Sequence, residues 1–181
     1  MGKLVKFFDI YKQDKFLHLK FINNLKKIFK NTNFILGKPV QKFENEFSKF
    51  CKTKYTVGCG NGTDALYLSL KALNLPKNSE VIVPAMTWIS TVSSIVNCGY
   101  KPVLADVNLS DSLISIKEIK KKITKKTRVI LPVHLYGNVV NVNEIKKIIN
   151  LKRIYIVEDA AQAHGALHEN KKNIGFYSDM T

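Results

Sequence analysis

The chain has 181 residues, 45% of them hydrophobic, and a formal net charge of +15 at pH 7, which is enough length and apolar content for one domain with a buried core. It has no run of eighteen apolar residues, so no membrane-spanning helix is expected, and Met1 to Phe8 lacks the apolar stretch and cleavage site of a secretory leader, so a cytoplasmic start is expected. The charge is lysine, with arginine only at Arg128 and Arg153; nucleic-acid recognition draws on arginine's bidentate fork, so we read a solvated lysine surface and expect no nucleic-acid partner.

Residues 1–40 read as a polar lead-in segment with one helical stretch around Leu17 to Phe29. From residue 41 to residue 181 helix and strand patterns alternate. Phe43, Phe47 and Phe50 recur at helical spacing within Gln41 to Phe50. Tyr55 to Cys59 reads as a short strand ending in glycines. Leu66, Leu70 and Leu73 share one face of a helix over Thr63 to Leu73. Glu80 to Val83 is a strand closed by Pro84, and Trp88 to Asn97 a mostly apolar helix ended by Gly99. Then follow a strand over Pro102 to Ala105, a basic amphipathic helix over Ile116 to Ile123, and a strand over Thr127 to Val133. A helix over Val142 to Ile149 and a strand over Arg153 to Val157 complete the alternation. Five continuous apolar strands separated by helices predict right-handed βαβ units and a mostly parallel sheet. Cys51, Cys59 and Cys98 form an odd, unpaired set, which suggests reduced thiols.

Ligands of such sheets sit at the carboxyl ends of the strands. The run Gly58-Cys59-Gly60-Asn61-Gly62-Thr63-Asp64 leads into a helix whose free N–H groups suit a phosphate. Equally, Thr63 or Asp64 can serve only as a helix cap. A nucleoside cofactor would want an acid before the first glycine, where Thr56 stands, and another after the second strand, where Pro84-Ala85-Met86 stands. Both are absent, so a phosphate without a ribose is favoured over a dinucleotide or S-adenosylmethionine. Trp88, the sole tryptophan, starts a helix on the ligand side; it is either a platform for a flat ring or a core aromatic. Alternation points Glu158 and Asp159 to opposite faces. A carboxylate at a buried strand end needs a cation or donors, and a protonated pyridine nitrogen is one such cation. A cap or a hydrogen-bond network is the other possibility. Gln162 is placed to donate to a ring oxygen. His134 reads as a strand-end histidine with a structural partner. His164 and His168 have helical metal-pair spacing, but Gly165 intervenes and no acidic third ligand is evident, so no metal site is expected.

Taken in order, six runs resemble the DegT/DnrJ/EryC1/StrS sugar aminotransferases, a fold-type-I pyridoxal-phosphate family. They are Phe34-Ile35-Leu36-Gly37, Gly60 to Leu66, Val81 to Trp88, Pro102-Val103 with Asp106, Pro132 to Gly137, and Glu158 to Ala166. The resemblance implies a three-layer αβα large domain with a mostly parallel sheet over 41–181, present only in part. It implies that Gly62, Thr63 and Asp64 bind the cofactor phosphate, mainly through backbone N–H groups. Trp88 would stack on the pyridine ring, Asp159 would pair with the ring nitrogen, Gln162 would contact the ring hydroxyl, and His164 would lie nearby without an assigned step. The implied cofactor is pyridoxal 5'-phosphate, the implied substrates a nucleotide-linked keto sugar and an amino-acid donor such as glutamate, and the implied assembly a homodimer. The family's Schiff-base lysine follows a glycine and an aspartate matched by Gly175 and Asp179, and family spacing puts it roughly eight residues beyond Thr181. None of the chain's own lysines takes that place; Lys171 and Lys172 fall in a variable turn. The polypeptide is therefore expected to be an N-terminal fragment without aminotransferase activity by itself. The competing functions are a methyltransferase built on Gly58 to Gly62 and a non-catalytic binding remnant.

Overall fold

A computed structural model describes residues 5–7, 9–14, 16–149 and 153–181; the leader reading above falls mostly on 1–4 and 8, outside the described residues. The chain divides into two units, Met1–Asn45 and Glu46–Thr181.

In the first unit a short helix α1 (Ile10–Gln13) precedes α2 (Leu17–Asn31) and the beginning of α3 (Lys38–Cys51). Leu17, Phe21 and Leu25 repeat every four residues along α2, as an amphipathic helix requires. The helix ends where Thr32 turns left-handed and returns its N–H to the carbonyls of Ile28 and Phe29. In α3, Pro39 lies in the first turn, where its missing N–H breaks no helical bond.

The second unit carries α4 (Gly62–Ala72), β1 (Glu80–Pro84), α5 (Ile89–Asn97), β2 (Lys101–Ala105), α6 (Ile116–Lys122), β3 (Thr127–Ile130), α7 (Val142–Ile148) and β4 (Tyr155–Ile156). The strands form one parallel sheet in the order β2-β1-β3-β4. Every residue of β1 is buried, so both faces of the sheet are covered. The connection from β1 to β2 runs one way along the sheet, and those from β2 to β3 and from β3 to β4 run the other way. Right-handed crossovers then put α5 on one face and α6 with α7 on the opposite face. Packing agrees: α4 lies against α5, and α6 against α7. The core between these layers is Val81, Ile82 and Val83 with Val129, Ile130 and Leu131, joined by Leu70, Ile95, Ile119 and Ile145. The parallel sheet is the one that the strand pattern predicted, and the three-layer αβα arrangement is the one that the resemblance implied.

One predicted strand is not formed. Tyr55 to Cys59 makes no ladder among the described residues. Tyr55 is 74% and Val57 82% exposed, and β-propensity without a paired neighbour and a covered face does not hold a strand. The last predicted strand is short for a different reason. Ladder pairing lapses after Ile156 and resumes only as single parallel bridges, Val157 with Met180 and Val133 with Asp159.

Candidate functional site

The reversal in winding creates a crevice. β1 exits toward α5 on one face and its neighbour β3 exits toward α7 on the other, so their carboxyl ends diverge. Such a switch point is where ligands bind in open α/β sheets. The loop 85–88 leaves β1 here. Asp159 arrives beside it, tied to the β3 exit by Asp159 N–H to Pro132 O at 2.9 Å and His134 N–H to Asp159 O at 3.0 Å.

The N-terminus of α4 is built locally. Asn61 is extended and its side-chain Oδ1 accepts from the Asp64 N–H at 2.9 Å, while its Nδ2 donates to Asp64 Oδ2 at 3.1 Å. Of the sequence-predicted phosphate donors, the Asp64 N–H is therefore occupied by the cap. The Gly62 and Thr63 N–H groups sit in the first turn, where a helix offers no internal acceptor. A Cβ at Gly62 would meet nothing within 4 Å, so there is open space on that side of the residue. A Cβ at Gly60 would lie 2.6 Å from Asp64 Oδ2, so the reciprocal cap needs a glycine there or a shift of that carboxylate. The Thr63 hydroxyl donates to Ser90 Oγ at 2.9 Å, tying α4 to the start of α5. Asn61→Ala removes the cap and is expected to cost about 1 kcal/mol, read as a lower denaturant midpoint at unchanged slope.

The first turn of α5 faces the same crevice. Trp88 is its cap residue, accepts the Thr91 N–H at 3.0 Å, and is 73% exposed. It is thus no core aromatic; its ring lies open to solvent. Thr91 is buried and its hydroxyl donates to Asp159 Oδ2 at 3.1 Å, with Thr87 Oγ1 a further 2.9 Å away. The Ala161 N–H donates to Asp159 Oδ1 at 3.2 Å. The Asp159 carboxylate is thereby held at both oxygens while 9% of the residue stays accessible. Gln162 is exposed and its Oε1 accepts the Tyr136 N–H at 2.7 Å. That N–H is aimed by a left-handed backbone at Tyr136 (φ 55°) and Gly137 (φ 86°). With Oε1 engaged, the amide NH2 of Gln162 remains to donate. His164 is exposed and meets Phe47 edge-on, ring centroids 5.9 Å apart.

Glu158 points the other way. It is buried, its Oε2 lies 2.7 Å from His134 Nε2, and its Oε1 accepts the Gly175 N–H at 3.0 Å. His134 Nδ1 accepts the Val140 N–H at 3.0 Å, so the ring carries its proton on Nε2 and donates it to Glu158. His168 Nε2 stands 3.9 Å from Glu158 Oε2. His164 and His168 therefore have different neighbours and do not converge. Burial pushes the Glu158 carboxyl up, but hydrogen bonds from His134 and Ser178 outweigh it and hold the group below its ordinary 4.5. Burial likewise holds His168 below its ordinary 6.5, against the pull of Glu158.

Residues 17–181 match the DegT/DnrJ/EryC1/StrS aminotransferase family. The chain belongs to that family. GDP-perosamine synthase of Vibrio cholerae is 36% identical over 145 residues, which are 80% of this chain and 39% of the synthase. A crystal structure of S. venezuelae DesV in complex with a ketimine intermediate superposes with a TM-score of 0.90 at 33% identity, over 94% of this chain and 46% of that one. The structure of ntda from Bacillus subtilis with bound cofactor PMP gives a TM-score of 0.79 at 32% identity, over 84% and 35%. The chain thus spans less than half the length of these relatives. Membership in the DegT/DnrJ/EryC1/StrS family displaces the methyltransferase reading of Gly58 to Gly62, which also lacks the strand that such a turn needs before it. Ser90, Thr91, Thr87 and Tyr136 were not singled out from the sequence. The hydroxyls of Thr87 and Thr91, four apart at a helix start, were the available signal. No described helix is long and apolar enough to cross a membrane.

Proposed function

We propose that this chain forms the cofactor-binding part of a pyridoxal-phosphate-dependent aminotransferase acting on a nucleotide-linked keto sugar, with an amino acid such as glutamate as donor. The observation that carries it is the Asp159 carboxylate, fixed by Thr91 and the Ala161 N–H at the switch point, beside an exposed tryptophan and an open helix N-terminus. These residues fit the cofactor. The Gly62 and Thr63 N–H groups would take its phosphate, Trp88 would cover one ring face, and Asp159 would hold a proton on the ring nitrogen. The Gln162 NH2 would donate to the ring hydroxyl, and His164 would stand near the ring without a step of its own. When bound, the cofactor supplies an electron sink and carries the amino group between donor and sugar. A cytoplasmic setting fits the free thiols of Cys51, Cys59 and Cys98. The protein would work as a homodimer.

The 181 residues by themselves are proposed to bind cofactor without turning over substrate, on the reading that none of their lysines takes the place of the family's Schiff-base lysine. Lys172, for example, has its ammonium over the Phe176 ring at 4.6 Å. The purified chain is expected to bind pyridoxamine 5'-phosphate in a saturable titration, to leave S-adenosylmethionine unbound, and to show no amination of a nucleotide-linked keto sugar. Absence of pyridoxamine phosphate binding would sink the cofactor reading; measurable turnover would sink only the claim of inactivity.

A further inference from the structure

The first turn of α5 joins three parts of the candidate site. Ser90 receives the Thr63 hydroxyl from the phosphate side, Trp88 offers a ring face, and Thr91 reaches Asp159. Thr91 joins two of these functions itself, since its N–H bonds to Trp88 O and its hydroxyl to Asp159 Oδ2. The hydroxyl has one proton. Because Asp159 takes it, the 2.9 Å contact between Thr87 and Thr91 has Thr87 as donor. The chain Thr87 to Thr91 to Asp159 therefore runs in one direction and polarises each hydroxyl toward the carboxylate. Thr91 is 1% exposed, so no water takes over if the hydroxyl is removed.

We propose that Thr91, backed by Thr87, is a positioning residue that fixes the Asp159 carboxylate relative to Trp88, so that one rigid turn sets where the cofactor's ring nitrogen and ring face must lie. The inference rests on the reading that Asp159 faces the pyridine nitrogen. Thr91 touches neither cofactor nor substrate; it acts through Asp159. A β-branched residue suits the role, since its stiff side-chain torsion keeps the hydroxyl on one heading.

The test uses the 181-residue chain and pyridoxamine 5'-phosphate labelled with 15N in the ring, an amine that does not condense with the surface lysines. Wild type, Thr91→Val, Thr91→Ser and Thr87→Val are compared by dissociation constant and by the 15N shift of the bound ring, which reports protonation of that nitrogen. Thr91→Val is expected to bind roughly three- to tenfold more weakly and to move the 15N signal toward unprotonated pyridine. Thr91→Ser is expected to restore both, and Thr87→Val to give a smaller change of the same sign. A wild-type complex with a protonated ring nitrogen, and the same shift and affinity in Thr91→Val and Thr87→Val, would overturn the inference and leave the cofactor reading intact. A wild-type chain that does not bind would overturn the cofactor reading and this inference with it. If Thr91→Val does not fold, Thr91→Ser and Thr87→Val decide the matter on the same two readouts.

Discussion

Glu158→Ala is expected to destabilise the fold by about 2–5 kcal/mol, the cost of leaving two buried donors without an acceptor. The carboxylate accepts from His134 Nε2 at one oxygen and from the Gly175 N–H at the other. Deleting it strands both donors inside the protein. Glutamine does not repair the loss. Its amide presents one acceptor and one donor, so it must aim an NH2 either at the Gly175 N–H or at His134. His134 cannot adapt by switching tautomer, because Nδ1 is held as an acceptor by Val140. Glu158→Gln is therefore expected to cost about 1–3 kcal/mol. Denaturant unfolding with unchanged slope measures both. The same cluster sets the acid response. His168 and Glu158 are both held below their ordinary values of 6.5 and 4.5 in the fold. In each case the unfolded chain binds the proton first, so stability is full above the ordinary value and is lost as pH falls. Stability is expected to decline below about pH 6.5 through His168 and below about 4.5 through Glu158. His168→Gln should flatten the first decline. An acid profile unchanged in that variant would show that His168 does not contribute.

Asp159→Asn is expected to leave the fold nearly as stable and to weaken pyridoxamine phosphate binding roughly 10- to 100-fold, the worth of a hydrogen bond to a charged group. Asparagine can still accept from the Ala161 N–H, and the Thr91 hydroxyl can turn to accept from the new NH2. What it cannot do is neutralise a protonated ring nitrogen. The bound ring of Asp159→Asn should therefore titrate as an ordinary pyridine by its 15N shift. Binding and protonation equal to wild type would remove Asp159 from the site.

The two predictions separate neighbouring carboxylates that look alike in sequence. Alternation along a strand predicts that Glu158 and Asp159 face opposite ways, and they do. What each side chain meets was not legible. Asp159 finds Thr91, 68 residues earlier, and Glu158 finds His134, 24 residues earlier. The α4 start was legible only in part: the pattern offered Thr63 or Asp64 as the cap, whereas Asn61 caps the helix by accepting the Asp64 N–H and the Thr63 hydroxyl turns to Ser90 instead. Trp88 was open between core and ligand readings, and it lies outside the core of this unit. Tyr55 to Cys59 misled because its β-branched and aromatic residues favour a strand, while pairing depends on a neighbour that sequence pattern does not supply.

By itself the sequence determined the alternation of helices with apolar strands, the parallel sheet and the segments that lie at its carboxyl ends. These follow from periodicity and chirality, which act over a few residues. Only the tertiary structure decided which of those segments meet. The order β2-β1-β3-β4 opens the crevice between β1 and β3 and brings the start of α5 to Asp159. Contacts between residues so far apart along the chain depend on packing of the whole sheet, and no local pattern encodes them.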